Sequence, residues 1–217
     1  MTSTQTILVL GATGQTGQHF TRLALDAGHR VRALARTPAK LALQHDGLEV
    51  VQGSISAPLD LDALLEGVDA VVLMLGDVVA QRDCLVNTPF VQALVPAMRR
   101  KGVRRLLYQA GGLSAAPGKR LMPVLRLVRA TVARSYDGQH RDNEAVMRWL
   151  DTEARDLAWV VHRAGIGSDG PSKGELRRSR TWISIATFVD CAAYSLRLLF
   201  DDDAVHTCDG SAYRRGR

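Results

Sequence analysis

The sequence predicts an α/β protein, a doubly wound parallel sheet in a single domain, and three observations carry that prediction. Short apolar runs alternate with longer segments of helical period along most of the 217 residues. The run Ala70-Val71-Val72-Leu73-Met74-Leu75 is apolar throughout, as a central strand buried on both faces must be. Glycines stand at or just beyond the ends of the runs, at Gly11, Gly53, Gly76 and Gly111. With 46% hydrophobic residues, the chain is long enough for one well-buried core. No apolar run approaches the ~18 residues of a membrane span. Met1-Thr2-Ser3-Thr4-Gln5 carries no basic region before its short apolar run, so no signal peptide is expected. Cys84, Cys191 and Cys208 are scattered without metal-ligand spacing, which suits reduced thiols in a cytoplasm.

The first element is Ile7-Leu8-Val9-Leu10, too short for a helix and read as a buried strand. Glycines follow at 11, 14 and 17, and the period then becomes helical, with Phe20, Leu23, Ala24 and Ala27 on one face and Gly28 as the stop. Each glycine has a task if this turn holds a pyrophosphate. Gly11 permits the sharp turn, Gly14 lets backbone N–H groups reach the phosphates, and Gly17 lets the helix lie close on the strand. The same spacing also suits a tight turn with nothing bound. Its place after a strand and at the opening of a helix favours nucleotide binding.

Val31 to Arg36 reads as the second strand. Where NAD-selective folds put a carboxylate for the ribose 2′-hydroxyl, this strand ends in Ala35 and Arg36, with Lys40 nearby. A cation there meets a 2′-phosphate, so NADP(H) is the expected cofactor. Thr37-Pro38 reads as the cap and first residue of a short helix. Leu48 to Gln52 is strand three, and Asp60 is expected to cap a short helix carrying Leu61, Leu64 and Leu65. Thr88-Pro89 repeats the capping signature ahead of Val91, Leu94, Val95 and Met98, with Gly102 closing that helix. Val103 to Gln109 is strand five, followed by Ala110-Gly111-Gly112. The ligand crevice is expected where Gly11, Gly76 and Ala110 converge.

Gly11-Ala12-Thr13-Gly14-Gln15-Thr16-Gly17 resembles the extended and atypical short-chain dehydrogenase/reductases, particularly their NmrA-like and biliverdin/flavin-reductase-like branches, over nearly the whole chain. The resemblance implies a cofactor site of Gly11, Thr13, Gly14, Gln15, Thr16, Arg36, Ser54, Ile55, Leu75, Gly76 and His140. Relatives usually carry Gly-Asp where this chain has Gly53-Ser54, so the adenine contact is expected to weaken or pass to the backbone of Ile55. Gly76 stands where the family lets backbone pass close to the cofactor's ribose and phosphates.

The second half is less regular. Arg120 to Arg134 interleaves apolar residues with cations and suits a membrane-surface helix, a lid, a dimer wall or a helix packed on the core with its arginines in water. Gly138 to Leu150 reads as a helix, and Leu157 to His162 as strand six. Ile166 to Trp182 is expected to be a substrate-side loop with Lys173, Arg177, Arg178 and Arg180 at its rim, within a small substrate-side portion at about 166–186. Arg163-Ala164-Gly165 stands where relatives show Arg-Pro-Gly. Ile183 to Phe200 resembles the family's late strand and helix, and Arg214 to Arg217 is expected to be a frayed tail.

Ordinary members of the superfamily use Ser or Thr after strand five and then Tyr-x-x-x-Lys, whose Lys lowers the Tyr pKa from ~10. Here none of Tyr108, Tyr136, Tyr194 and Tyr213 is followed four residues later by Lys. Gly111 and Gly112 take the hydroxyl's place, with Ser114 just beyond. Tyr136 and His140 have the right spacing, but Gly138 between them argues against a continuous helix. His140-Arg141-Asp142-Asn143-Glu144 resembles the helix in which a Lys or His faces the nicotinamide ribose, so His140 is the candidate catalytic residue, with a surface histidine as the alternative. His162 is expected to be a satisfied core residue and Glu144 structural.

These readings favour a reductase passing hydride from NADPH to a quinone, flavin, carbonyl compound or similar small acceptor, as monomer or homodimer. The alternative is a non-catalytic NADP-sensing protein of the NmrA-like kind. The net charge of +6 includes ten basic residues and no acidic one between Asp83 and Asp137, which draws anions. Its first cluster, Arg99 to Lys101, reads as a solvated face at a helix C-terminus. The absence of interleaved aromatics and of helix-turn-helix or zinc signatures argues against nucleic acid.

Overall fold

The computed structural model describes residues 4–165 and 167–214. Strands β1 (Thr6–Leu10), β2 (Arg30–Ala35), β3 (Leu48–Gln52), β4 (Ala70–Leu73), β5 (Arg105–Gly111), β6 (Ala158–Ala164), β8 (Leu176–Ser179) and β10 (Cys208–Tyr213) form one sheet in the order β3-β2-β1-β4-β5-β6-β10-β8. Every pairing in it is parallel except that of β8 with β10. Two short strands, β7 (Gly167–Ser168) and β9 (Ala186–Thr187), pair separately. The strand order reverses between β1 and β4, which lie in register from Ile7 opposite Ala70 to Leu10 opposite Leu73. A crevice opens at the carboxyl ends of two strands at such a reversal.

Helices α1 (Gln15–Asp26) and α6 (Phe188–Leu199) cover one face of the sheet. Helices α2 (Leu61–Leu64), α3 (Asn87–Lys101) and α5 (Asp137–Glu153) cover the other. Successive residues of β1 serve opposite cores, as the two-residue period requires: Ile7 and Val9 pack with Phe20 and Ala24, Leu8 and Leu10 with Leu94 and Met98. Asp60 caps α2 as expected, accepting from the Ala63 N–H at 2.9 Å.

Several local expectations are corrected. Thr88 does not cap α3, which already begins at Asn87. Instead, buried Asp142 on α5 accepts from the N–H groups of Val86 (2.9 Å), Asn87 (2.8 Å) and Thr88 (3.0 Å), from the Thr88 hydroxyl (2.6 Å) and from Gln81 Nε2 (2.7 Å). Thr37 and Pro38 do stand as the cap and first residue of a short 3-10 helix, Pro38–Lys40, as expected, although the Thr37 side chain makes no capping hydrogen bond. Gly138 does not interrupt α5. A Cβ there would stand 2.0 Å from the Gln81 carbonyl oxygen, so this glycine serves close packing, and the tertiary contact overrides its poor helix propensity.

The basic segment forms only a short helix, α4 (Pro123–Ala130), and none of its residues is buried, so it is not a core-packing helix. Arg99, Arg100 and Lys101 are more than a solvated helix end, because Asp156, Asp62 and Glu66 from other elements pair with them. Part of the expected 166–182 loop is strand β8, an antiparallel edge held by β10. Ile166, where that loop begins, and residues 215–217 of the expected tail lie outside the described residues.

His162 is the satisfied core residue anticipated. It is fully buried, with Nδ1 2.9 Å from Ser195 Oγ and Nε2 2.8 Å from Ser211 Oγ. Cys84, Cys191 and Cys208 are all free thiols. Among the described residues no helix is long and apolar enough to cross a membrane, and no cluster could hold a metal ion.

Candidate active site

The turn after β1 is set by contacts only glycine allows. Gly11 has φ +94°, and a Cβ on it would lie 2.2 Å from the Met74 carbonyl oxygen at the end of β4. A Cβ on Gly17 would lie 2.0 Å from the Gly11 carbonyl oxygen, so α1 sits directly on the turn. Gly14 differs. Its φ of −77° suits any residue, and its Cβ would meet only the Gly11 carbonyl oxygen, at 3.2 Å. The Gly14 N–H closes the turn on Gly11 O at 2.9 Å, and Gln18 Nε2 holds the Thr13 carbonyl at 3.0 Å.

Helix α1 therefore opens with no side-chain cap and no acidic residue in its first turn. The N–H groups of Gln15, Thr16 and Gly17 have no partner within the helix, and they carry the positive end of its dipole. An uncapped, carboxylate-free helix start behind a glycine turn fits a dinucleotide's pyrophosphate.

From this turn a cleft of about 280 Å³ runs across the reversal between β1 and β4. Gly11, Thr13, Gly14, Arg36, Ser54, Ile55, Leu75 and Gly76 all line it, as does Lys40. Gln15 and Thr16, the first residues of α1, follow Gly14 but are not part of the cleft's lining. Ser54 is turned to its own loop, where its hydroxyl accepts from the Ser56 N–H at 3.3 Å. The second strand offers no carboxylate, but the fold brings one from β4's end. Asp77 Oδ2 lies 3.6 Å from Arg36 Nη1, and both side chains are partly in solvent. This neighbour was not visible from the residues around Arg36.

His140 lies apart from this cleft, at the carboxyl end of β5. It is 6% exposed, not a surface residue. Gly111 makes the room for it: a Cβ there would stand 3.0 Å from His140 Cε1. The ring's Nδ1 is 3.1 Å from Ser114 Oγ, and Ser114 is fully buried. A chain of buried hydrogen bonds continues from Ser114, which accepts from Asn143 Nδ2 (3.3 Å). Tyr108 donates to Asn143 Oδ1 (2.6 Å) and accepts from Asn87 Nδ2 (3.0 Å). His140 Nε2 makes no hydrogen bond among the described residues.

Ser114, Asn143, Tyr108 and Asn87 were not assigned together from sequence. The available signals were the place of Ser114 just after strand five and the helical spacing of His140 and Asn143. Glu144 is structural as expected, accepting from the Ala115 N–H at 2.7 Å and pairing with Arg129.

Burial, reinforced by the Arg129 charge and only partly opposed by Glu144 and Asp137, pulls the His140 pKa down to about 4. The imidazole is therefore neutral at pH 7. Tyr108 is no proton donor either, since complete burial pushes its pKa far up. Tyr136 is half-exposed on the turn before α5. The unbonded Nε2 of the neutral ring can donate or accept one hydrogen bond, according to its tautomer. The site holds no acid poised near neutrality.

Residues 11–181 match the model of a family described as NAD(P)H-binding. A stretch of 101 residues, 46% of this chain, is 40% identical to (4-alkanoyl-5-oxo-2,5-dihydrofuran-3-yl)methyl phosphate reductase from Streptomyces griseus and covers 33% of that protein. The chain thus spans about a third of that relative's length. Similar solved structures include the oxidoreductase ylbE from Lactococcus lactis, with TM-score 0.78, 16% identity and coverage of 95% of this chain and 90% of that one. ChuY, an anaerobillin reductase from Escherichia coli O157:H7, has TM-score 0.74, 18% identity and coverage of 95% and 96%. At these identities the structures establish a shared fold.

Proposed function

Because the chain belongs to the NAD(P)H-binding family, we propose that it is an NADPH-dependent reductase acting on a quinone, a flavin or a similar conjugated acceptor. The observation that carries this reading is the neutral, buried His140 bonded to Ser114, with no Tyr–Lys pair beside it. When bound, the reduced nicotinamide supplies a hydride. Gln15, Thr16 and Gly17 would hold the pyrophosphate through their N–H groups, and His140 Nε2 would hold the nicotinamide ribose. An electron-poor conjugated ring takes the proton it needs from water, so the site's share is alignment. The Streptomyces relative, a reductase, supports the class of reaction. On this reading the small portion at about 166–186 would form the acceptor side. Free thiols are consistent with a cytoplasmic protein, acting as monomer or homodimer.

The second reading is a dinucleotide sensor without turnover, favoured by the absence of any Tyr-x-x-x-Lys. NADPH oxidation against a panel of quinones, flavins and carbonyl compounds, with NADPH binding measured alongside, separates the two. Acceptor-dependent oxidation supports the reductase; tight binding without oxidation on any acceptor establishes the sensor.

Cofactor choice follows from Arg36. NADPH is expected to bind at least tenfold more tightly than NADH, since a hydrogen bond to a charged group contributes about 1.5–3 kcal/mol. The ion pair with Asp77 is solvent-exposed and weak, so the 2′-phosphate displaces it. Titration of both nucleotides checks this. Arg36→Ala should erase most of the preference, and equal affinities in the unaltered protein would refute it.

His140→Ala is expected to raise the NADPH constant and lower turnover by no more than roughly tenfold, the worth of one neutral hydrogen bond. Between pH 5.5 and 8 turnover should show no step attributable to this histidine. A general acid's removal costs about 10²–10⁴-fold. A thousandfold loss with unchanged NADPH affinity would give His140 that role instead.

A further inference from the structure

The fold divides nine of the ten cations between Asp83 and Asp137 into two groups, and the tenth, Arg134, is exposed on the turn before α5 and belongs to neither. Arg99, Arg100, Lys101 and Arg105 pair with carboxylates of other elements, and Arg129 pairs with Asp137 and Glu144. Arg104 donates to the Asp156 carbonyl. Lys119, Arg120 and Arg126 make no ion pair or side-chain hydrogen bond among the described residues. All three line one cavity of about 460 Å³. Its remaining charges, Arg129 and Asp137, neutralise one another.

The cavity adjoins the reaction site on two sides. Ala115, in its wall, follows Ser114, the partner of His140. Asp137, also in its wall, stands one helical turn before His140 on α5. Arg129 ties the two sides together, donating to Asp137, to Glu144 and to the Leu113 carbonyl at 3.3 Å. Three unpaired like charges around one concavity repel each other until an anion enters, and a phosphate or carboxylate accepts from Lys and Arg together.

We propose that this cavity is an anion subsite for the acceptor. It takes a phosphate or carboxylate carried by the ligand whose ring is placed beside His140. The reductase reading supplies the ring, whereas the cavity alone supplies the anion, so the two stand or fall separately.

The test uses ligand pairs that share a ring and differ in charge. Riboflavin and FMN differ by a phosphate, and a neutral naphthoquinone can be paired with its carboxylated derivative. Dissociation constants are measured by fluorescence and calorimetry without NADPH, and KM with it. The charged member of at least one pair is expected to bind about tenfold more tightly. Arg126→Ala and the triple change Lys119→Ala, Arg120→Ala, Arg126→Ala should remove that preference in Kd and KM. Constants for the neutral members and kcat should stay within about twofold. Arg126→Lys should keep part of the preference. Preference for FMN alone identifies phosphate; preference for the carboxylated quinone alone identifies carboxylate.

No preference in either pair, or a preference the substitutions leave intact, overturns the subsite. If the neutral acceptors are still reduced in that case, the reductase reading survives it. Charge-dependent binding without any turnover upholds the subsite and removes the reductase.

Discussion

Asp142→Ala is expected to destabilise the protein by about 3–5 kcal/mol, because several buried donors lose their acceptor at about 1–3 kcal/mol each. Five donors converge on this carboxylate, three of them main-chain N–H groups at the start of α3. Without it those groups remain buried with nothing to bond, and each unsatisfied group costs about 1–3 kcal/mol unless water enters. Burial by itself would raise the Asp142 pKa. The bonds from Gln81, Thr88, Asn87 and Val86 outweigh that and hold it below the usual carboxylate range. Its contribution is therefore complete above the unfolded pKa of ~3.9 and lost only as pH falls below it.

Asp142→Asn should lie between the two. Its amide oxygen can replace Oδ2, but its NH₂ group meets the Thr88 N–H. Urea unfolding at pH 7 checks the order. Val86 and Asn87 also line the cleft proposed for the cofactor, so dinucleotide binding should weaken with both substitutions. Unchanged stability for Asp142→Ala would mean that α3 needs no partner at its N-terminus.

This carboxylate also shows where a linear reading stops. The glycine turn was legible because its strand, turn and helix follow one another within about eleven residues, although the backbone that approaches Gly11, at Met74, comes from the end of β4. The alternating cores were legible because side-chain direction follows backbone period. Asp142 satisfies groups 54 to 61 positions away, and no local pattern announces such a partnership. The same holds for Asp77 beside Arg36, since β2 and β4 are joined only through the reversal at β1. Ser114 was recognisable as a hydroxyl after strand five, but its pairing with His140 depends on Gly111 leaving space for the ring.

Gly138 was misread for a related reason. Helix propensity describes an isolated segment, and here the backbone of residues 81 and 82 lies against the helix. Strands β8 and β10 were missed because an edge strand rich in arginine and a short Gly- and Ser-containing strand carry no continuous apolar run.

The unfolding free energy is expected to fall by roughly 2–4 kcal/mol between pH 7 and pH 5, and the cause lies in two histidines. Burial holds the His162 pKa down to about 3 and that of His140 to about 4, whereas both titrate near 6.5 in the unfolded chain. A histidine whose folded pKa is depressed is kept neutral by the fold, so the unfolded state binds more protons throughout the interval. Its contribution is complete above about 6.5 and is lost as pH falls from there towards the folded value, at about 1.4 kcal/mol per pH unit. His29, also lowered by burial, acts in the same direction.

The window separates this effect from that of Asp142, whose contribution persists until pH approaches its unfolded pKa. His162→Gln keeps a neutral hydrogen-bonding side chain between Ser195 and Ser211 while removing the titration. It should take away about half of the loss, whatever its effect on stability at pH 7. Urea unfolding at pH 7, 6 and 5 for both proteins gives the two slopes directly. Equal slopes would show that the protonated imidazole is accommodated in the fold, against the closed environment between the two serines.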